Sequence, residues 1–271
     1  MKRLRSLFRA YIGSAQHGLL SSASIAARII DHLPDEQRCT LRHWLHKRTY
    51  EAIRRDVRRM GEGEHTILYT LRSFDQHRCI FVHVPKAAGI SIATALFGHL
   101  AGGHASATYY REVFGTAFWK YFKFTVVRNP YTRLVSAYEF LKRGGHPAFP
   151  ADRTFRDEVL SQHEDFSAFV LRWVEPRKQW PFPHFRPQCD YLMVGNRVAM
   201  DFVGRFERLE KDFRTICHRL DIDSRLQHLN DSGRERRPLG EYLQLDAVIR
   251  RVQDTYERDF EVLGYDSKPP C

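Results

Sequence analysis

The sequence predicts an α/β fold in which helices flank a central parallel sheet. Three short apolar runs are each followed by a turn and then by a helical pattern. Strand–loop–helix units in series are typical of a parallel sheet covered by helices on both faces. Hydrophobic residues make up 43% of the 271 positions, enough for an ordinary packed core. The length suits one large domain, or one domain with an appendage.

The three units can be placed along the chain. The first contains the strand-like run Cys79–Val84, which a proline ends. The second contains the run Phe122–Val127, and Pro130 fits the first position of the helix that follows, where a missing N–H costs nothing. In the third unit, the run Met200–Gly204 leads into a helix over Glu207–Leu220. Ligands of such sheets bind beyond the carboxyl ends of the strands, where the loops of these units lie.

Helical spacing also appears at the two ends of the chain. Apolar positions within residues 40–60 lie opposite a basic face and predict a helix that a Gly-Glu-Gly segment ends. We therefore predict a helical extension over residues 1–63 and a main domain over residues 64–271. An apolar stripe over residues 242–263 predicts a long core-facing helix closed by Gly264.

Charge and cysteine content restrict the partners and the compartment. The net charge of +11 favours an anionic partner, which leaves nucleic acid, a phosphorylated nucleotide, an acidic glycan and a membrane surface open. The five cysteines are scattered, odd in number and without a CxxC pair. This pattern argues against a disulfide framework and a structural zinc site, so we expect free thiols, a reducing compartment and a cytoplasmic location.

The N-terminal segment is basic and only mildly apolar. Polar residues interrupt its apolar run, so no stretch approaches the ~20 residues that span a bilayer, and the core of a signal peptide should be more continuous. A solvated extension is the interpretation we prefer. Peripheral contact with a membrane through a basic amphipathic helix stays open.

The loop after the first run has the composition of an anion-binding turn. Its small residues let backbone N–H groups approach an anion, and the next helix directs its positive end there. Lys86 adds a charge and Ser91 a hydroxyl. The segment is not a Walker A motif, because its lysine precedes its glycine. Taken alone, it could equally be an ordinary strand-to-helix turn.

A second loop with anion-binding residues follows the second run. Arg128 stands at the end of that run, and a guanidinium is suited to binding phosphate through two hydrogen bonds. Ser136, two turns into the next helix, is expected to face the same phosphate. Two such loops on successive units predict a nucleotide with phosphate groups at both ends.

Together the two loops resemble those of a known enzyme family. The segments P-K-A-A-G-I-S and R-N-P-Y-T-R-L-V-S-A-Y are similar to the 5′-phosphosulfate and 3′-phosphate loops of sulfotransferases that use phosphoadenosine phosphosulfate (PAPS). The branch resembled most contains carbohydrate sulfotransferases and bacterial relatives. The likeness extends through an R-F-E element at Arg205 to a close at Tyr265, and residues 1–63 lie outside it. It implies a P-loop-like, three-layer α/β domain, in agreement with the predicted sheet.

The resemblance also implies roles for individual residues. Lys86 would bind the 5′-phosphosulfate and neutralise the bridging oxygen as the sulfuryl group leaves. Arg128 and Ser136 would hold the 3′-phosphate. Further contacts to the first phosphate group would come from Ala87, Ala88, Gly89, Ile90 and Ser91. Other nucleotide contacts are implied for Arg205 and for a polar loop that contains Asn230, Ser232 and Arg236, where a plain solvated loop is the alternative. The desulfated nucleotide PAP would be the product, and no metal is expected.

The acceptor side is less specific. His104 lies in a small-residue loop and is the predicted base, because its proton affinity suits this task near neutral pH. Glu112 is an alternative base, and an ordinary surface histidine is the alternative role for His104. The aromatic and basic segment from Arg172 to Gln188 suits either an acceptor groove or an edge of the core. His184 near Cys189 would suggest a metal only if further ligands were present.

Three other functions are alternatives to carbohydrate sulfation. A small aryl or alkyl alcohol could replace the sugar as acceptor. A P-loop kinase would require a Walker-type lysine after the glycine and a clear acidic metal ligand, and neither is evident. A nucleic-acid-binding protein would require a recognisable motif or a concentrated basic surface, whereas the surplus charge is spread along the chain.

Overall fold

The computed structural model describes residues 30–61, 66–175, 182–226 and 237–270. The elements of the first half, in chain order, are α1 (Asp35–Leu45), α2 (Lys47–Arg55), β1 (Val57–Met60), β2 (Ile67–Thr70), α3 (Arg72–Gln76), β3 (Cys79–Phe81), α4 (Gly89–Phe97), α5 (Ala107–Phe114), α6 (Ala117–Lys120), β4 (Phe122–Val127) and α7 (Pro130–Lys142). Those of the second half are α8 (Pro150–Glu158), α9 (Phe166–Arg172), α10 (Cys189–Leu192), β5 (Met193–Val194), β6 (Arg197–Val198), β7 (Phe202–Arg205), α11 (Leu209–Leu220), α12 (Leu239–Tyr242) and α13 (Asp246–Leu263). Short 3₁₀ turns occupy Leu160–Gln162 and Phe206–Arg208.

The predicted parallel sheet is present, and the α/β fold class is confirmed. Its strands run in the order β3–β4–β7, with both pairings parallel. β4 has the predicted bounds, whereas β3 ends at Phe81, although the N–H of Val82 still donates to the carbonyl of Phe124 at 3.0 Å. Because the strands are parallel, the loops after β3, β4 and β7 emerge at one edge of the sheet.

The middle strand buries one charged residue. Lys123 is only 3% exposed, and its Nζ donates to the Asp201 carboxylate at 2.7 Å and to the Tyr121 carbonyl at 2.8 Å. The same carboxylate accepts from the Lys123 backbone N–H. This compensation explains how a lysine is tolerated in a strand that is otherwise uncharged.

Helices pack around the sheet in two apolar clusters. One cluster joins β3 and β4 to α4, α5 and α11. The other joins α7, α9 and α13, and it contains much of the predicted C-terminal stripe, including Val248, Val252 and Phe260. α13 ends where predicted, because Gly264 adopts a left-handed conformation (φ +64°) that a glycine accepts without strain.

The helix predicted over residues 40–60 is wrong at its C-terminal end. The region contains two helices, α1 and α2, and the second of them ends at Arg55. Asp56 is extended, and Val57–Met60 form β1 instead of a helix end. β1 pairs with β2 antiparallel, with Val57 opposite Thr70. Tertiary pairing thus overrides the local apolar spacing. This hairpin connects the two sides of the predicted boundary at residue 63, and the division into two parts stays a prediction.

Ion pairs attach the N-terminal helices to the rest of the chain. Glu112 of α5 accepts hydrogen bonds from Arg42 at 3.1 Å and from the Tyr50 hydroxyl at 3.2 Å. Burial raises the pKa of this glutamate despite the arginine. Both oxygens of the alternative base Glu112 are therefore used to join α5 to α1 and α2.

Two further features bear on the compartment. In the described ranges, no helix is long and apolar enough to cross a membrane. Four cysteines, Cys39, Cys79, Cys189 and Cys217, are buried free thiols. The cytoplasmic location inferred from thiol content stays a prediction.

Candidate active site

The loop between β3 and α4 has an unusual backbone. Lys86 and Ala88 both have positive φ angles, 68° and 62°, while glycine is the residue that normally adopts this region. Left-handed residues next to right-handed ones are the backbone pattern from which anion-binding concavities are built, and Ala88 stands directly before the first helical residue of α4. The N–H groups of the first turn of α4 add to it, because they have no partner within their own helix. This geometry supports an anion site at Lys86–Ser91.

The loop between β4 and α7 is fixed by helix capping. The Asn129 side chain accepts from the N–H groups of Tyr131 and Thr132 at 3.0 and 3.4 Å, and Pro130 starts the helix as predicted. An asparagine at this position satisfies donors that would otherwise lack partners. Arg128 therefore stands directly before a well-defined helix start.

Residues distant in sequence hold the Arg128 loop from outside. The amide of Gln188, fully buried, pairs with both backbone groups of Arg128: its oxygen accepts from the N–H at 2.9 Å and its nitrogen donates to the carbonyl at 2.8 Å. Glu207 accepts from the Asn129 N–H at 2.7 Å and from the Tyr265 hydroxyl at 2.9 Å. Glu207 of the R-F-E element and Tyr265 near the C-terminus thus anchor this loop.

The side chain of Arg128 connects the two loops. Its Nε donates to the Thr132 hydroxyl at 3.0 Å, and its Nη1 lies 3.4 Å from the Lys86 carbonyl. The guanidinium also stacks over the Phe206 ring, 4.1 Å from its centroid. The structure therefore brings together the two residues that the sequence assigned to separate phosphate groups.

Imidazoles gather beside Lys86. The Lys86 ammonium lies over the Phe140 ring, 3.7 Å from its centroid, and that ring contacts His184 edge-on at 5.3 Å. The ring of His104 lies 5.8 Å from that of His184 and 4.3 Å from that of His83. With Asp152, these three histidines form what we call the histidine cluster: His83, His104, His184 and Asp152.

The tautomer of His104 suits a base, but its proton affinity is not the near-neutral one that the sequence predicted, because burial lowers its pKa. Its Nδ1 lies 3.3 Å from the carbonyl of His83, an acceptor, so this nitrogen carries the proton and Nε2 keeps its lone pair. Desolvation, the positive charge of His184 when protonated and that of Lys86 lower the pKa of His104 to about 3, against the opposing effects of the His83 carbonyl and Asp152. The imidazole is neutral at pH 7. Its role as base stays a prediction.

Gly89 makes room for His83. A Cβ at position 89 would overlap the His83 ring, which is buried and stacked on Phe81 at 5.7 Å between centroids. Burial, followed by the neighbouring imidazoles His104 and His184, holds the pKa of His83 well below its usual value. The glycine of the first loop thus serves ring packing as well as anion approach.

His184 and Asp152 form a buried carboxylate–imidazole pair. The Nε2 of His184 lies 3.8 Å from Oδ1 of Asp152, within ion-pair range and longer than a hydrogen bond. Oδ2 of Asp152 accepts from the His146 N–H at 3.0 Å. The Arg133 guanidinium donates to the backbone carbonyls of His184 and Arg186 at 3.2 and 2.7 Å, which fixes the segment that carries His184.

The remaining predicted site residues have mixed outcomes. Ser136 lies on α7 one turn beyond Thr132, on the helix face that contacts Arg128. Arg205 lies at the end of β7, opposite Val127, but its Nη2 donates to the carbonyls of Leu263 and Gly264 at 2.7 and 3.0 Å. That contact gives Arg205 a structural role, and its nucleotide contact stays a prediction. Asn230, Ser232 and Arg236 lie outside the described residues.

The acceptor-groove interpretation fails for two aromatic residues. Phe182 and Phe185 are fully buried in the second apolar cluster, so they belong to the core. His184, between them, faces the histidine cluster instead of a groove. Within the ranges that the structure covers, no group of three His, Cys, Asp or Glu side chains is arranged to hold a metal.

An α/β domain with anion-binding loops at adjacent strand ends defines a class of proteins that bind phosphorylated nucleotides. The sequence profile of the sulfotransferase family matches residues 69–266. The chain therefore belongs to the sulfotransferase family.

Two mouse (Mus musculus) proteins illustrate the similarity. The chain is 29% identical to carbohydrate sulfotransferase 12 over 170 residues, which cover 54% of this chain and 40% of that protein. It is 25% identical to carbohydrate sulfotransferase 8 over 235 residues, which cover 72% of this chain and 56% of that protein. The chain thus spans about half the length of these curated relatives. No solved structure matches it significantly.

Proposed function

We propose that this protein transfers a sulfuryl group from PAPS to a hydroxyl of a carbohydrate or glycoconjugate. One observation supports this most strongly: Arg128 of the second loop reaches the Lys86 carbonyl of the first, at the edge where β3 and β4 end. A nucleotide with phosphate groups at both ends needs two anion sites at a fixed separation, and this contact keeps the loops together.

The residues present fit such a donor. The Lys86–Ser91 backbone, with its two positive φ angles, offers N–H groups to the phosphosulfate. Lys86 would neutralise charge on the oxygen that the sulfuryl group leaves, while Arg128 with Ser136 would hold the 3′-phosphate. PAPS supplies the activated sulfuryl group. The chain contributes donors and charges held in place before the reaction, which is the usual source of large rate effects.

The acceptor hydroxyl would lose its proton on the side of the histidine cluster. The tautomer of His104 leaves Nε2 able to take that proton. The carbohydrate is proposed from the names of the relatives, both of which are carbohydrate sulfotransferases.

The test is a comparison of ligands by thermal shift. PAP should stabilise the protein, AMP much less, and ATP with Mg²⁺ little. At 100 times the dissociation constant, binding adds about 2.7 kcal/mol of stability, which raises Tm by a few degrees in a chain of this size. Stabilisation by ATP–Mg²⁺ alone would overturn the proposal in favour of a kinase. Equal effects of PAP and AMP would show that the 3′-phosphate is not recognised.

A further inference from the structure

The pair His184–Asp152 contains buried polar atoms that the fold leaves unsatisfied. His184 is 5% exposed and Asp152 fully buried. Among the described residues, neither ring nitrogen of His184 has a hydrogen-bond partner, and Oδ1 of Asp152 has none either. Such atoms cost about 1–3 kcal/mol each when left unpaired, so they are uncommon without a functional reason.

One proton, placed on Nε2 of His184, could pair two of these three atoms. If Nε2 of His184 carries a hydrogen, it faces Oδ1 of Asp152 across 3.8 Å, and a small rotation of either side chain makes the bond. Nδ1 then keeps a lone pair. A base oriented by a carboxylate through its other nitrogen is a recurrent arrangement in enzymes that move protons. In this arrangement Nδ1 of His184 is the nitrogen open to a proton, although burial lowers the pKa of His184 despite the opposing effect of Asp152.

Burial and the nearby cations oppose proton uptake by the cluster, and Asp152 is the group that offsets part of this cost. Two cations face it, Lys86 and Arg133. Its own titratable groups are His83, His104, His184 and Asp152, and Tyr69 interacts with Asp152 from β2. With Asp152 ionised and the imidazoles neutral, the cluster carries one negative charge. Binding one proton brings it to zero, whereas without the carboxylate the same proton would add a buried positive charge beside Lys86.

We propose that His104, His184 and Asp152 act as one acid–base unit, in which His184 and Asp152 are positioning residues for the base. This rests on the proposed function. As the acceptor oxygen bonds to sulfur and the sulfur–oxygen bond to the nucleotide breaks, the acceptor O–H bond also breaks. Its proton binds an imidazole nitrogen of the unit, and Asp152 is the counter-charge. The unit titrates as a whole, as closely coupled groups do.

The test uses Asp152→Asn and His184→Asn in the full chain, with Asp157→Asn as the matched control. Asp157 lies on the same helix as Asp152 but is exposed and paired with Arg156. Each cluster variant should lower kcat about 10- to 100-fold, in the range of acid–base contributions, and leave PAP affinity unchanged. The acid limb of the kcat–pH profile should move to lower pH in Asp152→Asn, because a base without its counter-charge stays unprotonated further down. It should move to higher pH in His184→Asn, because a neighbour whose positive charge lowers the pKa of His104 is removed. The control should match wild type.

Coupling and protonation are then measured separately. The double variant should be no slower than the slower single variant, because the residues act together. Additive losses, or an unmoved acid limb in the folded variants, would overturn the proposal.

Imidazole ¹⁵N NMR tests the coupling among His104, His184 and Asp152 without a measurement of turnover. Asp152→Asn should shift the His184 titration midpoint to lower pH, and an unchanged midpoint would refute the unit even if the protein transfers no sulfuryl group. If Asp152→Asn does not fold, His184→Asn carries the test, because it should shift the midpoint of His104. Failure of PAP to bind would instead remove the proposed function alone.

Discussion

At the scale of single residues, the first loop is formed at an energetic cost. Positive φ angles at Lys86 and Ala88 cost roughly 1–2 kcal/mol each relative to ordinary backbone. Strained residues of this kind concentrate where a backbone must present a particular surface to a ligand. Lys86 and Arg128, which meet at this loop, are the charges on which nucleotide binding should depend most.

Replacing either Lys86 or Arg128 should therefore cause a large loss of activity. We expect Lys86→Ala and Arg128→Ala each to lower kcat/KM by at least ~100-fold, because each removes a charged donor aimed at a phosphate or sulfate group. Steady-state kinetics with PAPS and a glycan acceptor would measure this decrease in kcat/KM. Lys120→Ala and Arg143→Ala remove exposed charges elsewhere and should retain the wild-type value. Wild-type kinetics in either loop variant would contradict the placement of the nucleotide.

At the scale of elements, the second loop depends on a residue far along the chain. Gln188 binds both backbone groups of Arg128, and the Asp259 carboxylate accepts in turn from the N–H groups of Gln188 and Cys189, both at 2.8 Å. Burial raises the pKa of Asp259, although Arg133 and these N–H groups oppose the shift. α13 thus fixes α10, and the segment before α10 fixes the end of β4.

The two hydrogen bonds between the Gln188 amide and the Arg128 backbone can be tested by a substitution that adds a charge and keeps the shape of the side chain. Gln188→Glu should destabilise the protein by about 1–3 kcal/mol and weaken PAP binding, because a carboxylate cannot donate to the Arg128 carbonyl. Urea denaturation and PAP titration measure the two effects. Gln162→Glu replaces an exposed amide that donates to the Glu158 carbonyl at 2.6 Å, and it should change neither. Full stability and PAP affinity in Gln188→Glu would contradict the anchoring role.

At the scale of the whole molecule, neutral histidines should make stability depend on pH, among them the buried His83 and the half-buried His104. Burial is the largest cause that lowers the pKa of His83 and His104 from the usual 6.5. In the unfolded chain both would bind protons below pH 6.5, whereas in the folded chain they would not. Their contribution is therefore fully present above pH 6.5 and is lost as pH falls below it.

From pH 6.5 to pH 5.5 these two histidines together should reduce the free energy of unfolding by about 2 kcal/mol. Denaturant unfolding at several pH values measures this loss. His104→Asn should remove about 1 kcal/mol of this loss, while the exposed His218→Asn should leave it unchanged. Identical slopes for wild type and His104→Asn would contradict the neutral state of His104.

Local pattern was sufficient for the parallel sheet and for the position of the two loops that follow β3 and β4. The apolar run of β4, the proline that starts α7 and the glycine that ends α13 each act through their own backbone and immediate neighbours. Such features depend on interactions within a few residues, so their signals survive in the linear chain. The same holds for Lys86 and Arg128, which stand at strand ends that the pattern locates.

The tertiary structure decided what lies around those loops. β1 formed in place of a helix end because β2 offered it a pairing partner. Gln188 and Glu207 hold the Arg128 loop from 60 and 78 residues away. His83, His184 and Asp152 meet His104 only in the folded chain. Contacts across such separations leave no periodicity in one sequence, because packing selects them and not local backbone preference.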